Sequence, residues 1–302
     1  MLSIVTGGTG GLGFETAAAL ARAGHDVVLA GRNAAKGEAA LGRLRSQGSA
    51  ARFELLDLAS LASVQAFATR VTEPVRVLVN NAGVMAPDQR QVTVDGFELQ
   101  TGTNYLGHFA LTARLLPRLI AGGAHVVQLS SLAHRKAQID FDDLQGARRY
   151  RPWGQYGQSK LMMLMFALEL DRRTRAAGWP ITSNAAHPGW AVTDIITNGP
   201  GGGTAGLRER VMQGAFNVFG QSAAEGARPI VYAATSPDAV GGAYYGPSGF
   251  GEIRGTPGPS RIMPQALDRA AAARLWTVSE DLVGYKISFS PADRATESPG
   301  PG

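Results

Sequence analysis

The chain has 302 residues, 44% of them hydrophobic and 18% charged, so it can bury a sizeable core and is not a disordered chain. It contains no cysteine, which excludes disulfides, thiolate zinc sites and cysteine nucleophiles. The formal charge is +5, but the basic residues are scattered instead of forming a stripe, which argues against nucleic-acid binding. No apolar run reaches the length of a membrane span, and no signal peptide precedes the first apolar run. We therefore expect a soluble, cytoplasmic protein.

Short apolar runs alternate with longer helical patterns, which is typical of βαβ units and a parallel sheet. The strands are predicted at Leu2–Val5, His25–Ala30, Ala51–Leu55, Val75–Val79, Ala124–Leu129, Ile181–Ala186 and near Ala243–Tyr245. The helices are predicted at Leu12–Ala23, Ala34–Gln47, Ser60–Val71, Phe97–Ile120, Trp153–Ala177 and Ala223–Ala234. Gly48 is expected to end the second helix and Ser60 to cap the third, and Phe97–Ile120 is predicted as one long helix or a pair of helices. No regular element is predicted after Tyr245. The pattern predicts one α/β domain over residues 1–290, a doubly wound parallel sheet, followed by a disordered tail at 291–302.

A glycine-rich string follows the first strand and opens the first helix. It reads Thr6-Gly7-Gly8-Thr9-Gly10-Gly11-Leu12-Gly13. Positions without side chains let the backbone approach a pyrophosphate, which then lies against the positive end of the helix dipole. A tight turn with surplus glycine is the alternative. The string fits G-x-G-x-x-G and T-G-x3-G-x-G equally well, so it does not by itself distinguish between classes of nucleotide-binding fold.

The end of the second strand bears on the choice of nucleotide. NAD sites usually carry an acidic residue there, which binds the ribose hydroxyls. Here the sequence reads Leu29-Ala30-Gly31-Arg32-Asn33, with no carboxylate before Glu38. An arginine at this position can pair with a 2′-phosphate, so Arg32 favours NADP(H) over NAD. A solvated surface arginine is the alternative.

Tyr156 and Lys160 stand at positions i and i+4, on one face of a predicted helix. A phenol with its ordinary pKa near 10 is a poor base at neutral pH, and a nearby positive charge lowers that pKa. Such a tyrosine can exchange a proton with a carbinol oxygen while a nicotinamide carries the hydride. Because a Tyr-x3-Lys spacing is common by chance, a simple pair on a helix surface is the alternative.

Taken together, the motifs resemble the short-chain dehydrogenase/reductase family in both order and spacing. The resemblance runs from Thr6 to about Thr193, with a fainter continuation to Tyr245. It rests on Thr6–Gly13, Asp57-Leu58, Asn80-Asn81-Ala82-Gly83, Asn104, Ser130-Ser131, Tyr156 with Lys160, and Pro188-Gly189 with Thr193. The Asn-Asn-Ala-Gly block and the Pro-Gly block favour the non-extended branch of the family.

The resemblance implies a Rossmann fold and a role for each matching residue. Tyr156 would be the acid/base, and Lys160 would bind the nicotinamide ribose and tune Tyr156. Ser131 would bind the substrate oxygen, and Asn104 would anchor a water that links Lys160 to solvent. Asp57 and Asn81 would lie on the adenine side, and Thr193 at the carboxamide. The full set of implied cofactor contacts is Thr6, Gly7, Gly8, Thr9, Gly10, Gly11, Leu12, Gly13, Arg32, Asp57, Leu58, Asn81, Ala82, Gly83, Tyr156, Lys160, Pro188, Gly189 and Thr193.

One feature departs from the common family pattern. Ser131 and Tyr156 are 25 positions apart, about a dozen more than is usual. The inserted sequence, with His134-Arg135-Lys136, resembles the retinol-dehydrogenase-like and protochlorophyllide-reductase-like branch. The membrane anchor of many retinol enzymes and the cysteine of the light-dependent reductases are both expected to be absent, so neither substrate follows from the branch. We expect His134 to be a surface-loop residue, with a substrate contact as the alternative.

These observations predict an NADP(H)-dependent oxidoreductase that reduces a ketone or aldehyde, or oxidises the matching alcohol. A lid around 195–221, with the apolar segment Leu207–Phe219, predicts a hydrophobic small-molecule substrate. A non-catalytic NADP-binding regulator and an epimerase or dehydratase on the same fold are the alternatives. The five histidines show no metal-ligand spacing, so no metal site is expected. The run Met162–Phe166 is expected in the core or at a subunit interface, consistent with a homodimer or homotetramer.

Overall fold

The structure, a computed structural model, describes residues 1–46, 50–190 and 221–289. The strands are β1 (Leu2–Thr6), β2 (Asp26–Gly31), β3 (Ala51–Leu55), β4 (Val75–Asn80), β5 (His125–Leu129), β6 (Thr182–Ala186), β7 (Tyr244–Pro247) and β8 (Pro257–Pro259). The α-helices are α1 (Gly11–Arg22), α2 (Ala34–Arg45), α3 (Leu61–Arg70), α4 (Gly107–Gly122), α5 (Pro152–Ala176), α6 (Ala223–Thr235) and α7 (Arg269–Val283). None of the helices in these ranges is long and apolar enough to cross a membrane.

The strands form one sheet in the order β3-β2-β1-β4-β5-β6-β7-β8. The strands β1 to β7 are parallel, and β8 runs antiparallel to β7. The chain winds outward from β1 in one direction and then returns to β4 and continues in the other. Such a reversal leaves a crevice at the carboxyl ends of β1 and β4, where open α/β sheets bind their ligands.

Apolar layers cover both faces of the sheet. On one face α3, α4, α5 and α7 pack around Phe109, Phe166 and Trp276, whose ring centroids lie 5.1 to 5.7 Å apart. On the other face α1, α2 and α6 pack against strand residues such as Leu29. Each fully buried side chain of this size contributes about 1.5–3 kcal/mol relative to an exposed one. Because the sheet is covered on both sides, its strands read as continuous apolar runs.

The predicted elements are confirmed with small shifts at their ends, including the N-cap of α3, where the Ser60 hydroxyl accepts a hydrogen bond from the Ser63 N–H. The segment predicted over Phe97–Ile120 as one long helix or a pair begins later, at Thr101, and consists of a π-helix, Thr101–Leu106, continued by α4. The prediction that regular structure ends near Tyr245 was wrong, because β8 and α7 follow. The sheet is therefore not wholly parallel.

The two elements that were not predicted, β8 and α7, differ in how clearly the sequence indicates them. β8 is only Pro257-Gly258-Pro259, which reads as a turn in the sequence. α7 carried a usable signal, since Asp268 caps its N-terminus and Gly284, with φ of 63°, ends it. The predicted tail at 291–302, most of the predicted lid at 195–221 and Gly48, expected to end α2, lie outside the described residues.

Candidate active site

A cavity of about 720 Å³ opens at the carboxyl ends of β1, β2 and β4. Most residues expected to bind a nucleotide line it: Thr6, Gly7, Thr9, Gly10, Gly11, Leu12, Gly13, Arg32, Asp57, Leu58, Asn81, Ala82 and Gly83. Gly8 is different, because its backbone lies against Leu29 and the Val5 carbonyl, where an added Cβ would come within 3.0 Å of each. Gly8 therefore allows close packing under the cavity and is not part of its lining.

The glycine loop lines this cavity at the N-terminus of α1. Gly7 and Gly11 have φ of 65° and 49°, a region that favours glycine. At Gly13 a Cβ would lie 2.2 Å from the Gly7 carbonyl oxygen. The N-terminus of α1 has no side-chain cap at Gly10 and no acidic residue in its first turn. Its free N–H groups and the positive end of its dipole are thus available to an anion, so the residues present fit the pyrophosphate of a dinucleotide.

Thr6 and Asn81 bind each other and join the ends of β1 and β4. The Thr6 hydroxyl accepts hydrogen bonds from the N–H groups of Asn81 and Ala82 at 2.9 and 3.0 Å. The Asn81 side-chain amide donates to the Thr6 carbonyl at 2.8 Å. In the structure this amide therefore holds the loop in place, and its expected contact with adenine stays a prediction.

His108, to which no motif assigns a role, links Thr6 to Asn104. Its Nδ1 lies 2.8 Å from the Asn104 carbonyl oxygen and its Nε2 lies 2.8 Å from the Thr6 hydroxyl. Burial lowers the pKa of His108 to about 3, so the ring is neutral. Nδ1 then donates to the Asn104 carbonyl, and Nε2 accepts from Thr6. In the sequence, the available signal for this contact was a histidine four positions, or one helical turn, after Asn104.

Positively charged side chains cluster at the end of the cavity next to β2. Arg32, Lys36 and Arg43 all line it, and the Arg43 guanidinium lies 3.6 Å from the centroid of the Phe14 ring. The cavity wall also includes two acidic residues, Glu15 and Asp57. One Asp57 oxygen accepts a hydrogen bond from the Ala59 N–H at 3.0 Å, which ties that carboxylate into its own turn. The excess of cations favours an anionic group at this end.

Tyr156 lies on the first turns of α5, where its phenol meets the end of β5. Burial raises the pKa of Tyr156 to about 12, and a hydrogen bond with the Ser131 side chain acts in the opposite direction. The expected lowering of the Tyr156 pKa by Lys160 is not found, because the pKa is raised by desolvation and the group that opposes this is Ser131. At neutral pH the phenol is protonated and can donate a proton.

Lys160 is buried one turn further along α5. Its Nζ donates a hydrogen bond to the Leu129 carbonyl at 3.0 Å and lies 5.8 Å from the centroid of the Tyr156 ring. Burial lowers the pKa of Lys160 to about 8. A Cβ at Gly83 would lie 3.6 Å from this ammonium group. Lys160 therefore borders the Gly83 side of the nucleotide cavity, with Tyr156 beside it.

Asn104 connects the loop after β4 to α5. It lies in the π-helix, and its side-chain amide donates to the Ser159 hydroxyl and to the Val84 carbonyl, each at 3.0 Å. Its side-chain oxygen accepts from the Val84 N–H at 2.7 Å. These bonds fix Asn104 between the two elements that carry Gly83 and Lys160. Its expected contact with a water remains a prediction.

The inserted segment after Ser131 folds into the site instead of extending from it. Ser131 is the N-cap of a 3-10 helix, Leu132–Lys136, and its hydroxyl accepts from the Ala133 N–H at 3.2 Å. The expectation that His134 lies on the surface was wrong: its side chain is fully buried, and its ring lies 5.3 Å from that of Tyr244. Tyr244 adds a fully buried phenol next to the site that no motif had indicated.

On the far side of the site, Gly189 follows β6 with φ of 65°, and its N–H donates to His187 Nδ1 at 3.1 Å. Pro188 precedes it, and its carbonyl accepts from the Gln221 side chain. Thr193 lies outside the described residues. The structure thus brings Ser131, Tyr156 and Lys160 together where β5 ends beside α5. None of the three lines the cavity itself, which Lys160 approaches at Gly83, and their expected roles remain predictions.

Comparison with known proteins agrees with this geometry. The short chain dehydrogenase family model matches residues 2–199, which is most of the chain. The protein belongs to the short-chain dehydrogenase/reductase family and is an oxidoreductase of its retinol-dehydrogenase-like branch.

Its relatives include mouse polyprenol dehydrogenase, 40% identical over 94% of this chain and 84% of the relative. Human retinol dehydrogenase 13 is 39% identical over 94% of this chain and 84% of the relative. A solved structure of an uncharacterised Mycobacterium paratuberculosis protein is 40% identical, has a TM-score of 0.79, and covers 95% of this chain and 94% of its own.

Proposed function

We propose that this protein is an NADP(H)-dependent reductase of apolar aldehydes or ketones, and that it oxidises the corresponding alcohols in the reverse direction. The observation that carries the proposal is the partly buried Tyr156 phenol, which is hydrogen-bonded to Ser131 and lies next to Lys160. The Lys160 ammonium group in turn approaches Gly83, which lines a dinucleotide-sized cavity. A nicotinamide bound there supplies or accepts the hydride. All other steps are carried by side chains of this chain.

In reduction, the Ser131 hydroxyl and the Tyr156 phenol both hydrogen-bond the substrate oxygen. That pair of donors polarises the carbonyl and stabilises the negative charge that develops on its oxygen. Tyr156 then donates its proton to that oxygen as the alcohol forms. The raised pKa of Tyr156, about 12, keeps this proton on the phenol at neutral pH, so that it is available for donation. Lys160 binds the nicotinamide ribose from the Gly83 side.

The preference for NADP(H) rests on Arg32, Lys36 and Arg43, which surround the end of the cavity next to β2. A 2′-phosphate adds charge that these three cations can neutralise, whereas NAD offers only ribose hydroxyls. Arg43 is held in its place over the Phe14 ring. The position after β2 that carries a carboxylate in NAD sites is Arg32 here.

The apolar nature of the substrate is supported by the relatives, whose names denote dehydrogenases of polyprenol and retinol, both long apolar alcohols. On the site itself, Trp153 stands one turn before Tyr156, with its ring centroid 6.0 Å from that of the phenol and 57% of the residue exposed. A half-exposed indole beside the reacting group can bind an apolar chain. The lid at 195–221, the homo-oligomer and the cytoplasmic location remain predictions from the sequence.

The test is to supply purified protein with NADPH or NADH and a series of aldehydes from acetaldehyde to decanal and retinal. We expect one equivalent of alcohol for each NADPH consumed, with kcat/KM rising with chain length. Binding of neither nucleotide would overturn the proposal. Nucleotide binding without turnover of any carbonyl or alcohol would instead favour a regulator, and turnover without net NADPH consumption an epimerase or dehydratase.

A further inference from the structure

A carboxylate that belongs to none of the family motifs connects two parts of the candidate active site. Glu252 lies in the loop after β7, in the short 3-10 turn Phe250–Glu252. Its Oε2 is 2.8 Å from Nη2 of Arg135 and 3.0 Å from Nε2 of His187. Its Oε1 accepts a hydrogen bond from the Arg261 N–H at 3.2 Å. This one side chain therefore joins segments that are distant in the chain.

The partners of Glu252 stand directly beside residues of the site. Arg135 belongs to the 3-10 helix that Ser131 caps, so its position and that of the Ser131 hydroxyl are set by the same turn. His187 directly follows β6, and its Nδ1 accepts the N–H of Gly189. The carboxylate thus holds the Ser131 turn on one side and the Pro188-Gly189 loop on the other.

The hydrogen bonds determine the protonation states of His187 and Glu252. Because His187 Nδ1 accepts from a backbone N–H, the ring proton of the neutral imidazole is on Nε2. Nε2 donates it between Glu252 Oε2 at 3.0 Å and the Ser260 hydroxyl at 2.9 Å. Burial lowers the pKa of His187, which keeps the ring neutral. Burial alone would raise the pKa of Glu252, but the hydrogen bonds from His187 and the Arg261 N–H, with the Arg135 charge, lower it to about 2. Glu252 is therefore ionised throughout the neutral range.

The backbone around Glu252, Arg135 and His187 leaves just enough room for these three side chains. Glu252 has φ of 59°, a region that few residues other than glycine occupy and that folded proteins keep mainly at functional sites. A Cβ at Gly246 would lie 2.0 Å from His187 Nε2, and one at Gly189 would lie 2.2 Å from the Ile253 carbonyl oxygen. The Trp190 N–H donates to that same Ile253 carbonyl at 2.9 Å. The loop that carries Glu252 therefore fits closely against the Pro188–Trp190 segment.

We infer that Glu252 is a positioning residue for hydride transfer. It sets the distance between the Ser131 turn, which holds the substrate oxygen, and the Pro188-Gly189 loop, which borders the nicotinamide. The inference rests on the proposed function, because these two segments must be aligned with each other only if a carbonyl and a nicotinamide meet between them. Glu252 itself touches neither reactant and acts through Arg135 and His187.

Two substitutions remove the carboxylate in different ways. Glu252→Gln preserves the shape of the side chain but loses the charge that pairs with Arg135. Glu252→Gly removes the side chain and tolerates the φ of 59°, so folding is maintained even if the glutamine variant is unstable. The matched control is Glu73→Gln, because Glu73 also pairs with an arginine at 2.9 Å, but that arginine, Arg52, lies on the edge strand β3, at the other side of the sheet from β7 and β8.

The first measurement is hydrogen–deuterium exchange of the protein without nucleotide. In both Glu252 variants we expect peptides covering 130–137 and 187–190 to exchange at least fivefold faster together, although they are some 50 residues apart. The control should leave both unchanged. Faster exchange confined to 249–261, with neither site segment affected, would overturn the inference.

The second measurement uses NADPH, its 4-deuterated form and an apolar aldehyde. We expect kcat to fall at least tenfold with an increased deuterium isotope effect, because misalignment makes hydride transfer slower. The Kd of NADPH should stay within twofold, because the glycine loop and Arg32 are at the other end of the cavity. Wild-type kcat and isotope effect in both variants would overturn the inference. If the wild-type protein bound no nucleotide, the proposed function would fail, and the exchange experiment would still decide whether Glu252 couples the two segments.

Discussion

The ammonium group of Lys160 is held by the carbonyl oxygen of Leu129, the last residue of β5, at 3.0 Å. The backbone carbonyl of Lys160 in turn accepts a hydrogen bond from the Ser130 hydroxyl at 2.8 Å. Two hydrogen bonds of Lys160 thus connect the end of β5, which leads to Ser131, with α5, which carries Tyr156. A carbonyl does not neutralise an ammonium ion, and burial lowers the pKa of Lys160 to about 8. Two predictions follow from this charged, desolvated group.

The first concerns the pH dependence of stability. The pKa of Lys160 is about 8 in the folded protein and 10.5 ordinarily, so between these values the unfolded chain binds more protons. At pH 7 the buried, charged Lys160 therefore lowers the free energy of unfolding, and this loss is recovered as the pH rises from about 8 to about 10.5. The advantage of Lys160→Met over wild type in urea unfolding should shrink by about 3 kcal/mol across this window. A constant difference would contradict the burial of a charged Lys160, and Lys286→Met, at an exposed lysine, provides the control.

The second concerns the pH dependence of carbonyl reduction. Tyr156, with a pKa of about 12, remains protonated through the neutral range. Lys160 loses its charge as the pH rises through about 8. We expect kcat/KM for reduction with NADPH to be level at neutral pH and to fall above pH 8, because kcat/KM reports groups of the free enzyme. A profile that stays level until the phenol ionises would show that the charge of Lys160 is not required.

Arg32 should determine the choice of nucleotide. Arg32→Gln removes the guanidinium next to β2, so we expect Kd for NADPH to rise at least tenfold, a loss of about 1.4 kcal/mol. Kd for NADH should change less than threefold. Fluorescence titration of both nucleotides measures this directly. Arg22→Gln, on the last turn of α1, is the control. An equal loss for both nucleotides would indicate that Arg32 binds the shared pyrophosphate instead of the 2′-phosphate.

A pair of identical substitutions tests the glycine loop. A Cβ at Gly13 would lie 2.2 Å from the Gly7 carbonyl oxygen, so Gly13→Ala should displace the loop and weaken NADPH at least tenfold. Gly42 lies within α2 with nothing within 4 Å of an added Cβ. Gly42→Ala should therefore leave NADPH affinity unchanged and raise stability by about 1 kcal/mol, the helix preference of alanine over glycine. Similar affinity for NADPH in both variants would contradict the role of the loop.

The sequence predicted those parts of the protein that are local. The glycine string, Ser131, Tyr156 and Lys160 each lie at a strand end or in a single helix, so the order of short motifs that resembles the family was enough to single them out as candidates. The pKa of Tyr156 could not be predicted in the same way, because the i, i+4 spacing shows the neighbouring charge but not the burial that outweighs it. The same applies to His134, whose place under Tyr244 depends on β7.

Glu252 illustrates what a single sequence cannot reveal. Its partners His187 and Arg135 are 65 and more than 100 positions away, and no motif links the three residues. Their approach depends on the packing of the loop after β7 against the end of β6. β8 was invisible for a similar reason, since a three-residue strand containing two prolines is formed by its pairing with β7 and not by its own propensity.

Substitution of Tyr156 tests the central claim most directly. In Tyr156→Phe the proton donor is lost while the ring remains, so the variant should fold, bind NADPH as wild type does and lose at least 10³-fold in kcat for an apolar aldehyde. Tyr232→Phe, which changes a phenol on α6, should retain wild-type activity. The measurement is NADPH consumption by the three proteins at matched saturation. Retention of a tenth of the wild-type rate by Tyr156→Phe would contradict the assignment of Tyr156 as the acid.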